Sequence, residues 1–533
     1  MIDHGLPRTA TGTPRIDPGI DIAASADELV NGLLEHPWGQ VTPSVYETGR
    51  LVGLAPWLAL HDERVRYLVR TQRPDGGWGA PHRGYALVPT LSAVEALLAE
   101  LRRGPADRSG PRKAVDRGLT ALGEWLEGGG PPIPDMPAVE LIVPVLIDRI
   151  NDHLEHLDGG PSGRRLVPPA GMDGAKAALI GSLVRAGADL PDKLWHALEI
   201  AGDAAAGARG TAPEHTGTIG ASPAATAAWL GPAEPPPHHP ARRYLETAAR
   251  AHGGPVPCGL PITVFERGWV LSWLIRAGVP VRAPERLVRE LREAIGPAGA
   301  PAAAGLPADA DTTSAALYAL ALAGAPHPPD VLWGYETPTH FCTWRGEDGR
   351  SITTNAHVLE AFGRHLATVR GPAERYAATV AKVAGWLCEQ QLPDGQWTDR
   401  WHASPYYATA CAAPALAGFG GPGARPAVER ARRWTLRTQR PDGSWGLWEG
   451  TPEETAYALH VLLLSGPEGA EEPEVRRAAA RGAAVLREAV RTGSIESNNP
   501  PMWHDKDLYT PVAVVHAAIL AALHMTAGGI SDG

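Results

Sequence analysis

Residues 71–79 (TQRPDGGWG), 389–397 (EQQLPDGQW) and 438–446 (TQRPDGSWG) repeat one pattern, Gln-x-x-Asp-Gly-x-Trp. Each copy follows an apolar segment with helical periodicity and precedes another such segment. The Asp-Gly pair predicts a tight turn, in which the glutamine caps the end of one helix and the tryptophan stacks across the next. A unit that recurs in this way is typical of stacked helix pairs.

The composition predicts an all-α chain. Alanine, leucine and arginine dominate, 44% of the residues are hydrophobic, and regularly spaced strands rich in valine, isoleucine and threonine are missing. A length of 533 residues predicts two or more domains. We expect a disordered leader over residues 1–22, because this segment is polar and rich in proline and glycine, without the apolar core of a signal peptide.

Charge, cysteine spacing and hydropathy argue against several classes of partner. The net charge of −10 argues against nucleic acid. The four cysteines (258, 342, 388 and 411) lie far apart without metal-ligand spacing, and they suit a reducing cytoplasm. We find no run of about 20 apolar residues, so the sequence predicts no transmembrane segment.

Two carboxylates open the stretch 309–322 (DADTTSAALYALAL). Its apolar run predicts a buried helix with Asp309 and Asp311 at the N-terminal end. One interpretation is an N-cap, since Asp and Thr accept hydrogen bonds from free backbone N–H groups. The same motif opens phosphatases of the haloacid dehalogenase type, where it ends a buried strand. The Pro- and Gly-rich residues 297–308 cannot form such a strand.

Together, the repeats and the Asp-x-Asp pair resemble the class II terpene cyclases, a family that includes squalene-hopene cyclase and the copalyl diphosphate synthases. Further stretches between about residues 38 and 525 are similar to bacterial diterpene-type cyclases: SPAATAAW (222–229), PITVFERGWVL (261–271), TTNAHVLEA (353–361), WHASPYYAT (401–409), TPEETAYAL (451–459) and WHDKDLYTP (503–511). The variant Asp-x-Asp-Thr-Thr resembles the bacterial drimenyl diphosphate synthases, which act on the C15 substrate farnesyl diphosphate.

The resemblance implies two α/α-barrel domains, called β and γ, with the active cavity between them. The γ domain is expected at residues 51–285, and the β domain at residues 23–50 together with 286–533.

The resemblance also implies roles at the start of the reaction, which is protonation of an alkene. Asp311, the second Asp of the motif, would be the proton donor. A free Asp has a pKa of about 3.9, so burial and the neighbouring Asp309 would have to raise it. Thr312 replaces the family's third Asp. Asn355 matches a position whose amide holds the acid's other oxygen, although an Asn there also suits a helix cap.

Other residues would enclose and hold the substrate. Six aromatic side chains are candidates for the wall that stabilises cationic intermediates: Trp344, Trp401, Tyr406, Tyr407, Trp448 and Tyr509. Lys506, one of only five lysines, and Arg400 would bind the diphosphate. Glu140, with Asp135, resembles a reduced form of the family's acidic region in γ, which implies Mg²⁺ as cofactor.

Three functions remain open. The first is cyclisation of farnesyl diphosphate to a bicyclic drimenyl diphosphate, and the second is the same chemistry on geranylgeranyl diphosphate, giving a copalyl-type product. The third is a non-catalytic, prenyl-binding scaffold, against which the cost of burying carboxylates argues. The sequence has neither the Asp-Asp-x-x-Asp motif nor the Asn/Asp-Ser/Thr-Glu triad of class I synthases. The product should therefore keep its diphosphate for a downstream phosphatase or class I enzyme.

Overall fold

The computed structural model describes residues 21–104, 109–156, 165–368, 373–466, 472–495 and 497–528. Most of the predicted leader lies outside these residues. The first helix begins at Ile22, where the side chain of Asp21 accepts a hydrogen bond from the backbone N–H of Ala24.

Helices dominate the described residues, as the composition predicts. The α-helices are α1 (Ile22–Glu35), α2 (Val45–Leu54), α3 (His61–Arg70), α4 (Arg83–Arg102), α5 (Ser109–Leu126), α6 (Val139–His156), α7 (Ala175–Ala186), α8 (Pro223–Leu230), α9 (Pro240–Ala251), α10 (Thr263–Arg276), α11 (Glu285–Glu293), α12 (Ala310–Leu322), α13 (Ile352–Leu366), α14 (Glu374–Glu389), α15 (Pro405–Phe419), α16 (Arg425–Arg437), α17 (Pro452–Leu464), α18 (Pro473–Thr492) and α19 (Val512–Gly528). Short 3₁₀ segments cover Glu127–Gly129, Asp192–Ala205, Asp330–Tyr335 and Pro422–Ala424.

Two short antiparallel ribbons complete the described structure. In the first, β1 (Ala300–Pro301) pairs with β2 (Ala308–Asp309), so that Ala300 lies opposite Asp309. In the second, β3 (Trp503–His504) pairs with β4 (Leu508–Tyr509), so that Trp503 lies opposite Tyr509.

Six helices close the first barrel. Helix α10 packs on α12, α12 on α13, α13 on α15, α15 on α17 and α17 on α19, and α19 returns to α10. Helices α1, α11, α14, α16 and α18 pack around this ring. The ring helix α12 is buried along nearly its whole length, whereas an outer helix such as α11 buries only a stripe that contains Leu287 and Leu291.

A second, smaller ring forms from α2, α4, α6, the 3₁₀ segment Asp192–Ala205 and α8, which returns to α2. Helices α3, α5, α7 and α9 lie outside it. By length and composition α4 could cross a membrane. However, 78% of its apolar stretch is buried inside the molecule, so its apolar composition reflects its place in this core. The two rings confirm the predicted pair of α/α barrels.

The packing of two helices differs from the predicted domain boundaries. Helix α10 was assigned to γ (51–285), but Trp269 and Trp273 belong to the core of the first barrel. Helix α2 was assigned mainly to β, but Tyr46 and Val52 belong to the core of the second barrel. The apolar pattern marks both helices as buried, and it does not say against which neighbours they pack.

The three repeats have one geometry. Gln72 Nε2 donates to the carbonyls of Gly76 and of Ala114 in the next outer helix, both at 2.9 Å, and Trp78 Nε1 donates to Leu68 O at the end of the preceding helix. The equivalent hydrogen bonds recur at Gln391 with Trp397 and at Gln439 with Trp445. The tryptophan, rather than the glutamine, therefore caps the preceding helix, which corrects the role predicted for the glutamine. The ring of Trp78 also lies against Gly118 of the next outer helix, α5, as predicted for the tryptophan.

Candidate active site

A cavity of about 360 Å³ lies between the two barrels and takes its wall from both. The second barrel contributes residues 135–138, 140 and 141 and the start of the 3₁₀ segment near His196. The first barrel contributes Phe265 of α10, the start of α12 and both strands of the β3–β4 ribbon. This is the position predicted for the active cavity.

The β1–β2 ribbon and the first turn of α12 bring the Asp-x-Asp pair to this wall. Asp309 is the N-cap of α12, and its Oδ1 accepts a hydrogen bond from the backbone N–H of Thr312 at 2.6 Å. The Thr313 hydroxyl donates to the backbone carbonyl of Asp309. The N-cap interpretation is therefore confirmed, and it leaves Asp309, Asp311 and Thr312 bordering the cavity.

The two carboxyl groups have different surroundings. Burial raises the pKa of Asp309 to about 7, and the nearby charge of Asp311 adds to the increase. Asp311 Oδ1 lies 2.7 Å from Nδ1 of His357 on α13. Burial alone would lower the pKa of His357, but the Asp311 carboxylate outweighs it and raises that pKa well above its usual value. This site can therefore hold protons at neutral pH.

Asn355 does not contact the acid pair, so its predicted role is corrected. Its side-chain oxygen accepts from the Phe341 N–H, and its nitrogen donates to the carbonyls of Phe341 and Ser351, at 2.8–2.9 Å. The fully buried amide thus ties a loop to the start of α13. His357, two positions further on, faces the acid instead, because each residue of a helix turns the side chain by about 100°.

Four of the six predicted aromatic residues border the cavity: Trp344, Trp401, Tyr407 and Tyr509. Phe265 and Trp503 also border it and were not predicted. Trp269 lies behind them, with its ring 4.4 Å from Phe265 and 5.0 Å from His357, and its Nε1 donates to the Tyr407 hydroxyl at 2.8 Å. Aromatic rings therefore line the cavity that Asp311 borders, and Trp269 packs against its partner His357.

The other two aromatic predictions are corrected, since neither residue belongs to the cavity wall. Tyr406 points away from its neighbour Tyr407 and packs 4.7 Å from the ring of Trp434. Trp448 packs against the second core, with its ring 5.8 Å from that of Tyr85. It therefore contributes to the contact between the barrels.

Two ion pairs cross from one barrel to the other beside the cavity. Arg400 of the first barrel donates to Asp135 Oδ1 at 3.2 Å, and Lys193 of the second barrel donates to Glu347. Arg400 borders the cavity as predicted, while Lys193 borders it without having been predicted. Their side chains are 25% and 37% exposed, so both cations remain accessible to a ligand.

Each of these cations also lies over a tryptophan. Lys193 Nζ is 5.0 Å from the ring centroid of Trp344, and Arg400 Cζ is 5.2 Å from that of Trp401. The two indole rings meet edge to face with centroids 5.5 Å apart. The four side chains form one patch, which we call the cationic patch.

Lys506 lies outside the cavity wall, so its predicted role as a diphosphate ligand is corrected. Its fully buried ammonium contacts Glu47 at 3.0 Å, Glu199 at 3.1 Å, the Ser222 hydroxyl at 2.8 Å and the His196 carbonyl at 3.0 Å. These acceptors use its three donors. Lys506 instead fastens the β3–β4 ribbon to the second barrel.

A second histidine–carboxylate pair borders the cavity and was not predicted. His196 Nε2 lies 2.8 Å from Asp505 Oδ1, and its Nδ1 lies 2.6 Å from the Gly220 carbonyl. Burial alone would lower the pKa of His196, but the charge of Asp505 outweighs it and raises that pKa. The reverse holds for Asp505, whose pKa falls to about 2. Each partner therefore favours the charged form of the other.

The described residues contain no group of three or more His, Cys, Asp or Glu side chains that could hold a metal ion by themselves. Asp135 and Glu140 both border the cavity near the cationic patch, and both are exposed. Mg²⁺ is commonly bound by one or two carboxylates together with substrate phosphates. Two carboxylates at this position fit that mode.

Comparison with known proteins identifies the family. A profile of the squalene-hopene cyclase C-terminal domain matches residues 348–486. The ent-copalyl diphosphate synthase of Streptomyces sp. (strain KO-3988) is 45% identical over 513 residues, which cover 95% of this chain and 96% of that protein. The chain belongs to the class II terpene cyclases.

Other relatives of this cyclase agree over nearly the whole length. The labda-7,13-dienyl diphosphate synthase of Streptomyces clavuligerus is 39% identical over 520 residues, covering 94% of this chain and 93% of that protein. The solved structure of the ent-copalyl diphosphate synthase from Streptomyces platensis matches with a TM-score of 0.88 and 45% identity, covering 95% of this chain and 99% of that chain. The cyclase therefore shares both barrels with its relatives.

Proposed function

We propose that the cyclase converts geranylgeranyl diphosphate into a copalyl-type diphosphate and leaves the diphosphate group in place. The names of its relatives, among them ent-copalyl and labda-7,13-dienyl diphosphate synthases, support a C20 substrate better than the C15 substrate predicted from the Asp-x-Asp-Thr-Thr variant. The observation that carries the proposal is the Asp311–His357 pair on the wall of a cavity that also presents two accessible cations.

The first step is proton transfer from Asp311 to the terminal double bond. His357 holds Oδ1, and no group among the described residues hydrogen-bonds Oδ2 of this cavity-bordering side chain. Once the proton has left, the cationic imidazole stabilises the new carboxylate. Asp309, with a pKa of about 7, is protonated in about half of the molecules at neutral pH and so limits negative charge beside the donor.

Successive double bonds then attack the cationic centre, and the aromatic wall stabilises these intermediates. Phe265, Tyr407 and Trp503 border the same cavity as Asp311 and pack against one another. An aromatic ring attracts a cation through its quadrupole without forming a bond to it. A water-poor wall also protects the cations from capture by water before the rings close.

The cationic patch binds the diphosphate in this proposal. Arg400 and Lys193 would exchange their carboxylate partners, Asp135 and Glu347, for phosphate oxygens. Glu140 and the released Asp135 would hold Mg²⁺ against the same phosphates, and the ion would supply charge neutralisation there. With the diphosphate held at the patch, the acid acts only on the hydrocarbon part of the substrate.

The test is to incubate the purified protein with Mg²⁺ and either the C15 or the C20 diphosphate. Products are dephosphorylated and identified by mass spectrometry, while released pyrophosphate is measured in parallel. We expect a bicyclic C20 alcohol after phosphatase treatment, a smaller turnover of the C15 substrate and no pyrophosphate. Faster turnover of the C15 substrate would restore the drimenyl function. Binding of both substrates without any product would favour the scaffold.

A further inference from the structure

The His196–Asp505 pair borders the cavity, and the proposed cyclisation leaves it without a role. Asp505 lies in the turn between β3 and β4 of the first barrel, and His196 lies in the 3₁₀ segment of the second barrel. Asp311 borders the same cavity from the first turn of α12. One cavity thus contains the proposed proton donor and a further carboxyl group that a different element carries.

The two oxygens of Asp505 have different surroundings. Oδ1 lies 2.8 Å from His196 Nε2 and accepts from the backbone N–H of Lys506 at 2.7 Å. No group among the described residues hydrogen-bonds Oδ2, and the side chain is 15% exposed. Oδ2 lies beside Gly259, another residue of the cavity wall, where an added Cβ would be 3.1 Å from it. Oδ2 is therefore the oxygen that a ligand in the cavity can reach.

Asp505 is a carboxylate at neutral pH. Burial alone would raise its pKa, but the charges of His196 and Lys506 outweigh burial and lower that pKa to about 2. Burial instead raises the pKa of Asp309, beside the proposed donor, to about 7. Carboxyl groups whose surroundings move their pKa values apart can serve as acid and base of one site. The acid pair on α12 suits proton donation, and Asp505 suits proton acceptance.

His196 is not suited to accept a proton from a substrate. Its Nε2 faces Asp505 Oδ1, and its Nδ1 lies 2.6 Å from the Gly220 carbonyl. Both of these oxygens only accept hydrogen bonds, so the imidazole satisfies them when both of its nitrogens carry protons. Neither nitrogen then has a lone pair directed at the cavity. His196 is a positioning residue, which holds Asp505 Oδ1 and favours the charged form of the carboxyl.

The proposed reaction needs a group that removes a proton. Asp311 adds one proton to the substrate, and the product is an isomer of that substrate, so the last cation must lose a proton. In a water-poor cavity, a carboxylate both stabilises this cation and can accept the proton. Burial raises the pKa of Tyr509 well above its ordinary value, and the nearby charges of Asp505 and Asp311 add to the increase. Both carboxyl groups therefore lie near Tyr509 and can act on one bound hydrocarbon.

We infer that Asp505 is the catalytic base that ends the cyclisation, an inference that rests on the proposed function. Oδ2 takes a proton from a carbon next to the cationic centre. The electron pair of the broken C–H bond forms the new C=C bond, and the proton forms an O–H bond on Oδ2. After the product has left, Asp505 releases this proton to solvent through the cavity, because His196 and Lys506 favour the carboxylate.

The test compares the products that Asp505→Asn and the wild type form from geranylgeranyl diphosphate, identified by mass spectrometry after dephosphorylation. The amide keeps an oxygen for His196 and for the Lys506 N–H, but it is a far weaker base. Asp311 still starts the reaction, so the last cation is captured by water or loses its proton elsewhere. We expect the share of the wild-type alkene to fall about tenfold or more, replaced by hydroxylated C20 products and isomeric alkenes.

Two further variants separate the base from its neighbours. In Gly259→Ala, the new methyl group lies against Oδ2 and hinders its approach to the substrate, so the alkene share should fall although the carboxylate remains. In His196→Gln, the amide keeps a donor toward Asp505, so the wild-type alkene should remain the main product. A loss of alkene in His196→Gln as large as that in Asp505→Asn would make His196 the base and would overturn the inference.

Asp507→Asn is the matched control, because Asp507 lies in the same turn but outside the cavity wall. Its Oδ2 accepts from the Ser44 hydroxyl at 3.0 Å and from the Tyr46 N–H at 3.1 Å. The product ratio of this variant should match that of the wild type, even where less of the protein folds. Unchanged products in Asp505→Asn, or an equal change in Asp507→Asn, would also overturn the inference. Failure of the wild-type protein to form any cyclic product would instead refute the cyclisation itself.

Discussion

The clusters around Lys506 and around Asp311 both contain buried charged groups close to the same cavity. They differ in whether those groups face only other protein groups or also the cavity. In the Lys506 cluster, burial raises the pKa of Glu47 to about 7. In the Asp311 cluster, burial raises the pKa of Asp309 to the same value. A perturbed pKa alone therefore does not mark the acid, although such values gather at functional sites.

Access to the cavity separates the two clusters. The side chains of Lys506 and Glu47 are fully buried, and the ammonium is shared among protein acceptors. Among the described residues, only His357 hydrogen-bonds the Asp311 carboxylate, whose side chain is 15% exposed and borders the cavity. A charged group whose hydrogen-bonding positions are all occupied by protein holds the barrels together. A charged group that is partly open to the cavity can act on a ligand. The predictions below test this distinction.

The largest effect is expected from Asp311→Asn. The amide keeps the shape of the side chain and has no acidic proton, so cyclisation should fall by about 10² to 10⁴-fold or more. Helix content, followed by circular dichroism, should stay unchanged. Glu47→Gln is the matched control, because its pKa is raised to the same value away from the cavity, and it should retain cyclisation. Near wild-type activity in Asp311→Asn would move the proton donor to Asp309.

Replacing Lys506 by Met should change stability instead of substrate binding. Removal of the ammonium leaves Glu47 and Glu199 buried without compensation, and breaking a buried ion pair in this way costs about 3–5 kcal/mol. Denaturant unfolding should show the loss, while KM for the substrate should stay within about twofold, a limit well under the tenfold that 1.4 kcal/mol represents. A large rise in KM without a loss of stability would return Lys506 to the diphosphate site.

At the cationic patch, Arg400→Gln and Lys193→Gln should each raise KM by about 10- to 100-fold. Each change removes a hydrogen bond to a charged phosphate, which contributes about 1.5–3 kcal/mol. Steady-state kinetics at constant ionic strength measure the effect. Lys382→Gln serves as the control, since Lys382 also pairs with a glutamate, Glu336, and lies outside the cavity wall. Equal KM values in all three variants would place the diphosphate elsewhere.

Much of the fold follows from the sequence because it depends on local patterns. The Gln-x-x-Asp-Gly-x-Trp repeats predict paired helices, and the glycine of each turn has a positive φ, +89° at Gly76, where a Cβ would lie 2.6 Å from the carbonyl oxygen of Arg117. The assignment of α2 and α10 to a barrel could not be predicted, since both read simply as buried helices.

The candidate site was predictable where a motif fixes a turn, and less so elsewhere. Asp309 and Asp311 sit where an N-cap motif must place them. The sequence TTNAH contains both Asn355 and His357. Which of these side chains contacts Asp311 depends on how helix α13 is rotated about its axis relative to α12, and the sequence does not give that rotation. Lys506 stood out as a rare charge in an aromatic stretch, and that signal cannot separate a buried ion cluster from a ligand site. Lys193 gave no signal, because its neighbours Trp344 and Glu347 are distant in sequence.

The smallest effect concerns pH and Asp309. Its pKa of about 7 means that Asp309 ionises as the pH rises through 7, which places a negative charge beside the donor and opposes the departure of its proton to the alkene. The kcat of the wild-type enzyme should therefore fall as the pH rises above about 7. Asp309→Asn keeps an oxygen for the Thr312 N–H and cannot ionise, so its kcat should be lower at pH 6 but lose this alkaline decline.

The stability of the fold provides an independent check on the same group. Because folding raises the pKa of Asp309 above the unfolded value of about 3.9, the folded state holds its proton more tightly. This contribution is complete below about pH 4 and is lost as the pH rises to about 7. Denaturant unfolding between pH 4 and 7 should show that loss in the wild type and a flatter profile in Asp309→Asn. Identical profiles in the two proteins would mean that Asp309 is ionised throughout this pH range. The decline of kcat would then have to come from another group that contacts Asp311, and His357 is the first candidate.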